Sequence, residues 1–493
     1  MATLKQVYDL VHSLDKNEKK NLSILIDALG GKARQRYANS LRVFNEQKEF
    51  DADKLKKKLG ADVSGMSLTE ANDYFFHFVC KALQSNTTST SGNLGLVKEL
   101  LMVETFISKG LFDSAEKQLG PLLSKLETGN SFGLLSRGLE LQSIIIASNP
   151  NTTRDFEKRL RILQQRKQVA ADQMQYVELM QLIQQINMLV SKTGDPRTRQ
   201  QQAEYAKVYT HPIFRLRYEE VSRQSFPLFA PTKIDMVNVL QGPEAAIREG
   251  LVALAEFRKI FDRKHHYVAE FYLLDSLLSD CFRAKNHALM TPLIEDLRKL
   301  IPHVQQKAVI QKVYAKIMHS ELVYYTLTQN YSEGVKCFSN WMKPNQQVLW
   351  TGSPLDYMNY LMGARLHYMN NQPDLALDFL HLLQGREKDF KPTALLGYRF
   401  LFLLCYYQTD NASLVHSTAH SIYKSLLKQE KLYAPERAVL RFTKSSGSIE
   451  KMKKNMHGLH ETLSALQSDP LNAPFFLFAD YVEWLEKELK GMR

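Results

Sequence analysis

Apolar residues recur at intervals of three and four along almost the whole chain, and strict alternation of apolar and polar positions is scarce. That periodicity predicts amphipathic helices and no sheet. Helix-start signals fall where the pattern needs them. Asp15 with Glu18, and Ser67 with Glu70, have capping-box spacing ahead of apolar runs. Pro243 and Pro354, preceded by Gly242 and Ser353, stand where a proline opens a helix.

Residues 1–85 read as an N-terminal unit of four or five helices. Gly30-Gly31 separates the second helix from a third over Lys32 to Gln47, whose Tyr37, Leu41 and Phe44 share a face. Asp51 to Leu59 reads as a short basic helix. Asn86 to Gly95 (NTTSTSGNLG) reads as a linker. From 96 to 493 the pattern becomes one of helix pairs. Leu96–Lys109 is followed, after Gly110, by Phe112–Leu126. Later pairs are His265–Lys285 with Ala288–Leu300, Gln311–Gln329 with Ser332–Met342, Tyr357–Asn370 with Pro373–Gln384, and Thr393–Gln408 with Ala412–Gln429. Between them, Arg154–Lys192 runs 39 residues without Pro or Gly. Its stripe of Phe156, Leu160, Leu163, Ala170, Met174 and Val177 predicts one long helix or a tight antiparallel hairpin. The small residue opening successive second helices falls at Gly334, Ala376 and about Val415, with steps of 42 and 39 residues. An amphipathic hairpin cannot bury its apolar face alone, so units at a steady spacing are expected to stack as an all-α solenoid of eight to ten hairpins.

The segment YLMGARLHYMNNQPDLALDFLHLL resembles a tetratricopeptide repeat through Tyr360, Ala364, Ala376 and Leu380, with His367 where the family has an aromatic. KELLMVETFISKGLFDSAEKQLGPLL is similar through Phe106, Gly110, Ala115 and Leu119, with Val103 in place of a small residue. Tyr325, Gly334 and Phe338 give a third partial match, with Leu322 where a small residue belongs. Small residues let helices cross closely. The resemblance is therefore to a divergent, TPR-like α-solenoid with longer helices than the standard motif. The opening stretch (LVHSLDKNEKKNLSILIDAL…FNEQKEFDADKLKKKL) also resembles the start of uncharacterised bacterial helical-repeat proteins. The resemblance implies that the first helix of each pair lines the inner face, which places Tyr360, Arg365, His367 and Tyr368 on a partner-binding surface.

Composition agrees with this architecture. The 493 residues hold only 22 Gly and 16 Pro, too little punctuation for a sandwich or barrel. A formal net charge of +12 favours acidic partners. The nearest cysteines, Cys281 and Cys337, lie 56 residues apart, so no CxxC motif exists and all four read as core thiols of a reducing compartment. The N-terminus carries charges within its first five residues and lacks a secretory apolar stretch, and the longest apolar run, Phe400 to Tyr407, is too short for a bilayer. A cytoplasmic protein without a membrane segment is expected.

Catalytic motifs are missing. No G-x-S-x-G occurs; GLLSRG at 133–138 has the wrong spacing, and GGKAR at 30–34 lacks the phosphate-loop frame. His416 with His420, His457 with His460-Glu461, and His266 with Glu270 have helical spacing, but no third ligand accompanies them, and solvated helix faces are the better reading. No enzyme, cofactor or metal is expected. Three basic clusters remain. Lys54, Lys56, Lys57 and Lys58 are interleaved with Asp53, and the Arg154–Lys167 cluster with Asp155 and Glu157. Arg437, Arg441, Lys444, Lys451, Lys453 and Lys454 have only Glu436 and Glu450 nearby, and are the best candidate for a functional patch. Aromatics such as Tyr398, Phe400, Phe402, Tyr406 and Tyr407 read as seams between hairpins. These features point to a non-enzymatic scaffold that binds a peptide or protein on the concave face of the array. The alternative is a nucleic-acid-associated regulator that uses the basic helices.

Overall fold

The computed structural model describes residues 2–47, 49–59, 67–86, 93–129, 131–149, 155–304, 306–343, 352–390, 392–445, 449–477 and 481–491. Most of the linker-like stretch 86–95, Arg154 of the second basic cluster and residues 446–448 between Arg437 and Lys454 lie outside them. The described residues form twenty-four α-helices with short 3-10 turns and no strand. No helix among them is long and apolar enough to cross a membrane. The chain divides into two compact units, Met1–Ala171 and Asp172–Arg493.

The first unit opens with α1 (Leu4–Ser13), α2 (Lys16–Asp27), α3 (Gly31–Glu46), α4 (Ala52–Leu59) and α5 (Leu68–Asn86). Both expected capping boxes form. Asp15 accepts from the Asn17 and Glu18 amides while Glu18 accepts from Asp15 N–H, and Ser67 and Glu70 exchange the same pair of bonds. These five helices share a core of their own around Val7, Val11, Phe44, Phe75 and Val79. Next come α6 (Asn93–Ser108), α7 (Phe112–Thr128), α8 (Phe132–Ser148) and the start of α9 (Phe156–Thr193), around Val103, Ala115, Leu119, Leu139 and Ile162. The stretch 156–193 is thus one 38-residue helix and not a hairpin, because nothing in it can turn the chain. Its predicted stripe is solvent-facing: Phe156 is 71% exposed and Met174 is 74% exposed.

The second unit takes the end of α9 and continues with α10 (Arg199–Tyr209), α11 (Phe226–Gln241), α12 (Pro243–Ile260), α13 (Arg263–Arg283), α14 (His287–Arg298), α15 (Lys307–Leu327), α16 (Tyr331–Trp341), α17 (Pro354–Met369), α18 (Pro373–Leu382), α19 (Pro392–Gln408), α20 (Ala412–Lys428), α21 (Ala434–Ser445), α22 (Ile449–Gln467), α23 (Ala473–Phe476) and α24 (Tyr481–Gly491). Helices α11, α13, α15, α17 and α19 each pack on the next, and α12, α14, α16 and α18 each touch the two members of that row beside them. Two rows with sequential neighbours make a solenoid-like arrangement.

The repeat is also written in the backbone. Gly110, Lys285, Gln329, Asn371 and Asp410 all have positive φ, at 74°, 54°, 56°, 56° and 55°. Each donates its N–H three residues back, and the following residue donates five back, as in Gln329 to Thr326 and Asn330 to Tyr325. This is the Schellman turn, which satisfies the last carbonyls of a helix. Five residues beyond each turn residue stand Ala115, Met290, Gly334, Ala376 and Val415, all buried against the neighbouring helix. Four further on stand Leu119, Ile294, Phe338, Leu380 and Ala419, also buried. One turn and one seam therefore recur in α6–α7 and in four consecutive pairs from α13 to α20, while α8, α9 and residues 194–225 interrupt the succession.

Close approach is paid for with glycine at one seam. The Phe338 ring of α16 lies over Gly363 of α17, where a Cβ would come within 2.4 Å of the ring. Around it the Phe338 ring meets Phe379 at 5.0 Å, His367 at 6.1 Å and Tyr360 at 6.2 Å.

The C-terminal helices fold back on this row. Phe475 and Tyr481 pack on Phe400 of α19, and Trp484 packs edge-on to Tyr407 at 5.3 Å. Tyr331 donates to Glu483, and Lys487 sits over the Tyr331 ring. The beginning of the unit is tied to the same end. Arg197 makes a two-pronged pair with Glu436 at 2.7 and 3.1 Å, both side chains being nearly fully buried, and donates Nε–H to the Leu471 carbonyl. Such a pair fixes geometry more than it adds net stability.

Candidate functional site: a polar cavity on the inner row

A cavity within the second unit measures about 530 Å³. It is lined by the end of α9, by α11, α13 and α15, and by the first turns of α17 and α19. That volume is in the usual range for small ligands, about 300–1,000 Å³. Its apolar wall includes Met236, Leu278, Phe282, Val323, Met358 and Phe390.

The charged groups come from different repeats. Asp235 on α11, Asp275 on α13 and Lys316 on α15 share the lining with Asp195, Asp389 and Arg283. Lys316, 4% exposed, pairs with Asp275 at 2.5 Å and donates to Ser279 Oγ at 3.1 Å. Arg283 donates to Asp280 at 3.0 Å. Asp280 is fully buried behind the lining, and its Oδ2 has no hydrogen-bond partner. Desolvation pushes the Asp280 carboxyl up to about 7, with Arg283 only partly opposing it. Burial works against the Arg283 charge, but Asp195, Asp280 and Asp235 outweigh it and hold the guanidinium pKa above its ordinary value. Asp195 accepts from Thr393 Oγ1 at 2.7 Å.

Two further groups complete the lining. His319 Nδ1 lies 3.1 Å from Asn359 Oδ1. Burial, helped by the nearby Lys316 charge, drives its pKa down to about 3, so the imidazole is neutral at ordinary pH. Ser320 is 1% exposed and its hydroxyl has no hydrogen-bond partner.

The residues expected on the inner face are placed differently. Arg365, His367 and Tyr368 do sit on the first helix of a pair, but they are 8%, 5% and 5% exposed and do not line an open surface. Arg365 donates to the Leu477 carbonyl, and His367 stacks on Phe379 with Nδ1 2.8 Å from Gln372. Tyr360 is half-buried in the same cluster, and burial pushes its hydroxyl up to about 12. The reason is physical: aromatic surface is unfavourable in water, so Tyr360 and His367 pack on Phe338 of α16 and Phe379 of α18, while the C-terminal stretch covers Arg365 and Tyr368.

The basic residues are brought together. Arg437, Arg441 and Lys444 lie on one face of α21, and Lys451, Lys453 and Lys454 on the adjoining α22; all six are exposed. Arg437 donates to the Leu432 carbonyl, Lys444 lies over Tyr423, and Lys454 pairs with Glu450 at 3.4 Å. Glu436, adjacent in sequence, turns inward to Arg197 and does not temper the patch. The other two clusters are locally compensated: Lys54 pairs with Asp51, Lys56 with Asp53, Lys58 with Glu46, Lys158 with Glu116 and Arg161 with Glu157. Glu270 is taken by Arg258 and Arg263, His266 packs on Phe261, and His460 faces Glu486. Among the described residues no three His, Cys, Asp or Glu side chains converge as a metal-ligand set.

The cavity aspartates escape a motif search because they share no local pattern. One signal is present in the sequence: Asp195, Asp235, Asp275 and Lys316 stand about 40 residues apart, near the repeat period. The chain matches no known protein-family model, and no curated protein is significantly similar to it.

Proposed function

We propose that the protein is a divergent TPR-like helical-repeat scaffold, non-enzymatic, that binds a peptide or protein partner by a segment seated in the cavity of the inner row. The observation that carries this reading is the cavity itself. It is open to a ligand, it is built from side chains of successive first helices, and it mixes an apolar wall with fixed charges. A preformed surface of this kind binds an extended segment with little ordering of the protein. The binding surface is thereby moved from α17, whose inner side is covered, to α11, α13 and α15.

Selection of a random peptide-display library on the immobilised full chain tests this reading. A consensus should emerge, and Met358→Trp, which fills the cavity, should abolish it. No enrichment, or enrichment indifferent to Met358→Trp, would remove the proposal.

A second reading, a nucleic-acid-associated regulator, is favoured by the exposed basic face of α21 and α22. It requires retention on DNA or RNA that falls linearly in log salt. Retention that does not change with salt, or that survives reversal of Arg437, Arg441 and Lys444 to Glu, would dismiss it.

A further inference from the structure

We infer that the cavity recognises an organic cation on an apolar stem: an alkylammonium or guanidinium group, carried by a lysine or arginine side chain or by a free aliphatic amine. This rests on the cavity being the binding site and adds the chemistry of what enters it.

The charge of the cavity favours a cation. The chain as a whole is basic, at +12. Its cavity is the reverse, with Asp195, Asp235, Asp275 and Asp389 against Arg283 and Lys316. The two cations are already engaged. Lys316 is held by Asp275 at 2.5 Å, and Arg283 donates to Asp280, a further carboxyl just behind the lining. Arg283 also acts on Asp195 and Asp235, which share that one guanidinium. In a partly desolvated concavity such a surplus attracts cations and repels phosphates and carboxylates.

A buried hydroxyl points the same way independently of charge. Ser320 Oγ is buried, lines the cavity and has no partner. An unsatisfied buried hydroxyl is unfavourable. Its oxygen can accept from an ammonium or guanidinium N–H placed among the aspartates.

The lining also suits an apolar stem. The wall of Met236, Leu278, Val323 and Met358, with the rings of Phe282 and Phe390, suits methylenes and the face of a cation. Lysine, arginine and linear amines combine these two features; neutral polar and anionic ligands do not.

Titration calorimetry on the full chain tests this with four probes: acetyl-Ala-Lys-Ala-amide, acetyl-Ala-Arg-Ala-amide, cadaverine, and the neutral isostere acetyl-Ala-norleucine-Ala-amide. At least one cationic probe should bind ten-fold or more tightly than the norleucine peptide. Asp235→Asn should weaken that probe by about ten-fold, and Ser320→Ala by about three-fold, with unchanged far-ultraviolet dichroism. Asp235→Glu, which keeps the charge, should retain most of the binding and guards against a misfolded Asn variant. Preference for the peptides identifies a side chain as the source, and preference for cadaverine identifies a free amine. The inference is overturned if the norleucine peptide binds as well as the lysine peptide, if no cationic probe binds at millimolar concentration, or if Asp235→Asn has no effect. Peptide selection that still yields a Met358→Trp-sensitive but uncharged consensus would leave the scaffold reading standing while this one fell.

Discussion

Two stretches of the row of first helices are built alike and finished differently. Helices α13 and α15 enter their turns through Lys285 and Gln329, and α17 and α19 through Asn371 and Asp410, with the same hydrogen bonds. Yet α13 and α15 present Asp275, Arg283, Lys316 and Ser320 to a cavity, while α17 and α19 present Arg365, Tyr368, Phe400 and Tyr407 to Leu477, α23 and α24. The backbone repeat sets where the inner face lies. The chemistry of that face decides whether it is closed by the chain itself or left open for something else. An aromatic face is closed because burial is favourable there; a charged one keeps a cavity because packing its carboxylates against apolar groups is not.

The sharpest way to break this comparison is to cut similar bulk from each half. Phe338 is 1% exposed and in contact with aromatic or apolar groups on all sides in the closed half. Phe338→Ala should destabilise by about 3–5 kcal/mol, because the hole cannot collapse. Phe282 is also buried but lines the cavity. Phe282→Ala should cost less, about 2 kcal/mol, since its packing is already one-sided. Urea unfolding followed by dichroism compares them, and equal losses would contradict the distinction between a closed half and one with a cavity.

A smaller effect is expected from Gly363→Ala. Its methyl would lie about 2.4–2.6 Å from three atoms of the Phe338 ring, so the ring must move. Overpacking of this kind costs about 1–3 kcal/mol. Phe338→Leu should recover part of it in the double variant. Purely additive losses would show that the glycine serves some need other than the ring.

The open half should also reveal itself through pH. The Asp280 carboxyl titrates near 7 when folded, so between about pH 4 and 7 the native chain holds a proton that the unfolded chain has released; this group lowers stability as pH rises through that window. For His319 the sign is opposite. Between about pH 3 and 6.5 the unfolded chain binds a proton that the native imidazole refuses, so stability is lost as pH falls through that window and is fully present above it. Relative to the parent, Asp280→Asn should therefore gain stability from pH 4 to pH 8, and His319→Gln should gain from pH 8 to pH 4. Each swing should be at least about 1 kcal/mol, given roughly 1.4 kcal/mol per pKa unit. Thermal midpoints at three pH values decide it, and swings of the same sign in both variants would refute the assignment.

The legibility of these two halves in the sequence was unequal, for physical reasons. Helix pairs could be read because amphipathic periodicity is local, and Gly334, Ala376 and Val415 mark the same seam position at the fourth residue of α16, α18 and α20. Caps such as Asp15–Glu18 and Ser353–Asp356 could be read because they span three residues. Covering of α17 and α19 could not, because Leu477, Tyr481 and Trp484 meet their partners across about 80–110 residues and carry no pattern that says so. That is why Arg365 and Tyr368, placed on a first helix, belong to a closed interior, whereas His367 is closed in by Phe338 and Phe379 of the adjoining helices. Convergence of Asp195, Asp235 and Asp275 was hidden for the same reason, although a scan for charges recurring at the repeat period picks them out. The basic patch was legible as residues but not in strength, since only the fold shows Glu436 turning away from it.

The smallest expected effect concerns the feature that the two halves share. Gln329 holds its Schellman turn at φ 56° with its side chain exposed, a conformation unfavourable to a residue with a Cβ. Glycine removes about 1–2 kcal/mol of that strain and gives back about 0.5–1 kcal/mol in unfolded-chain entropy. Gln329→Gly should accordingly stabilise by up to about 1 kcal/mol without touching the cavity or the closed face. Asn371→Gly should gain less, because asparagine tolerates the left-handed region better than glutamine does. If Gln329→Gly destabilises the chain, the turn is held by the glutamine side chain and not by its backbone bonds, and the identity of the five turns would then lie in their side chains as well.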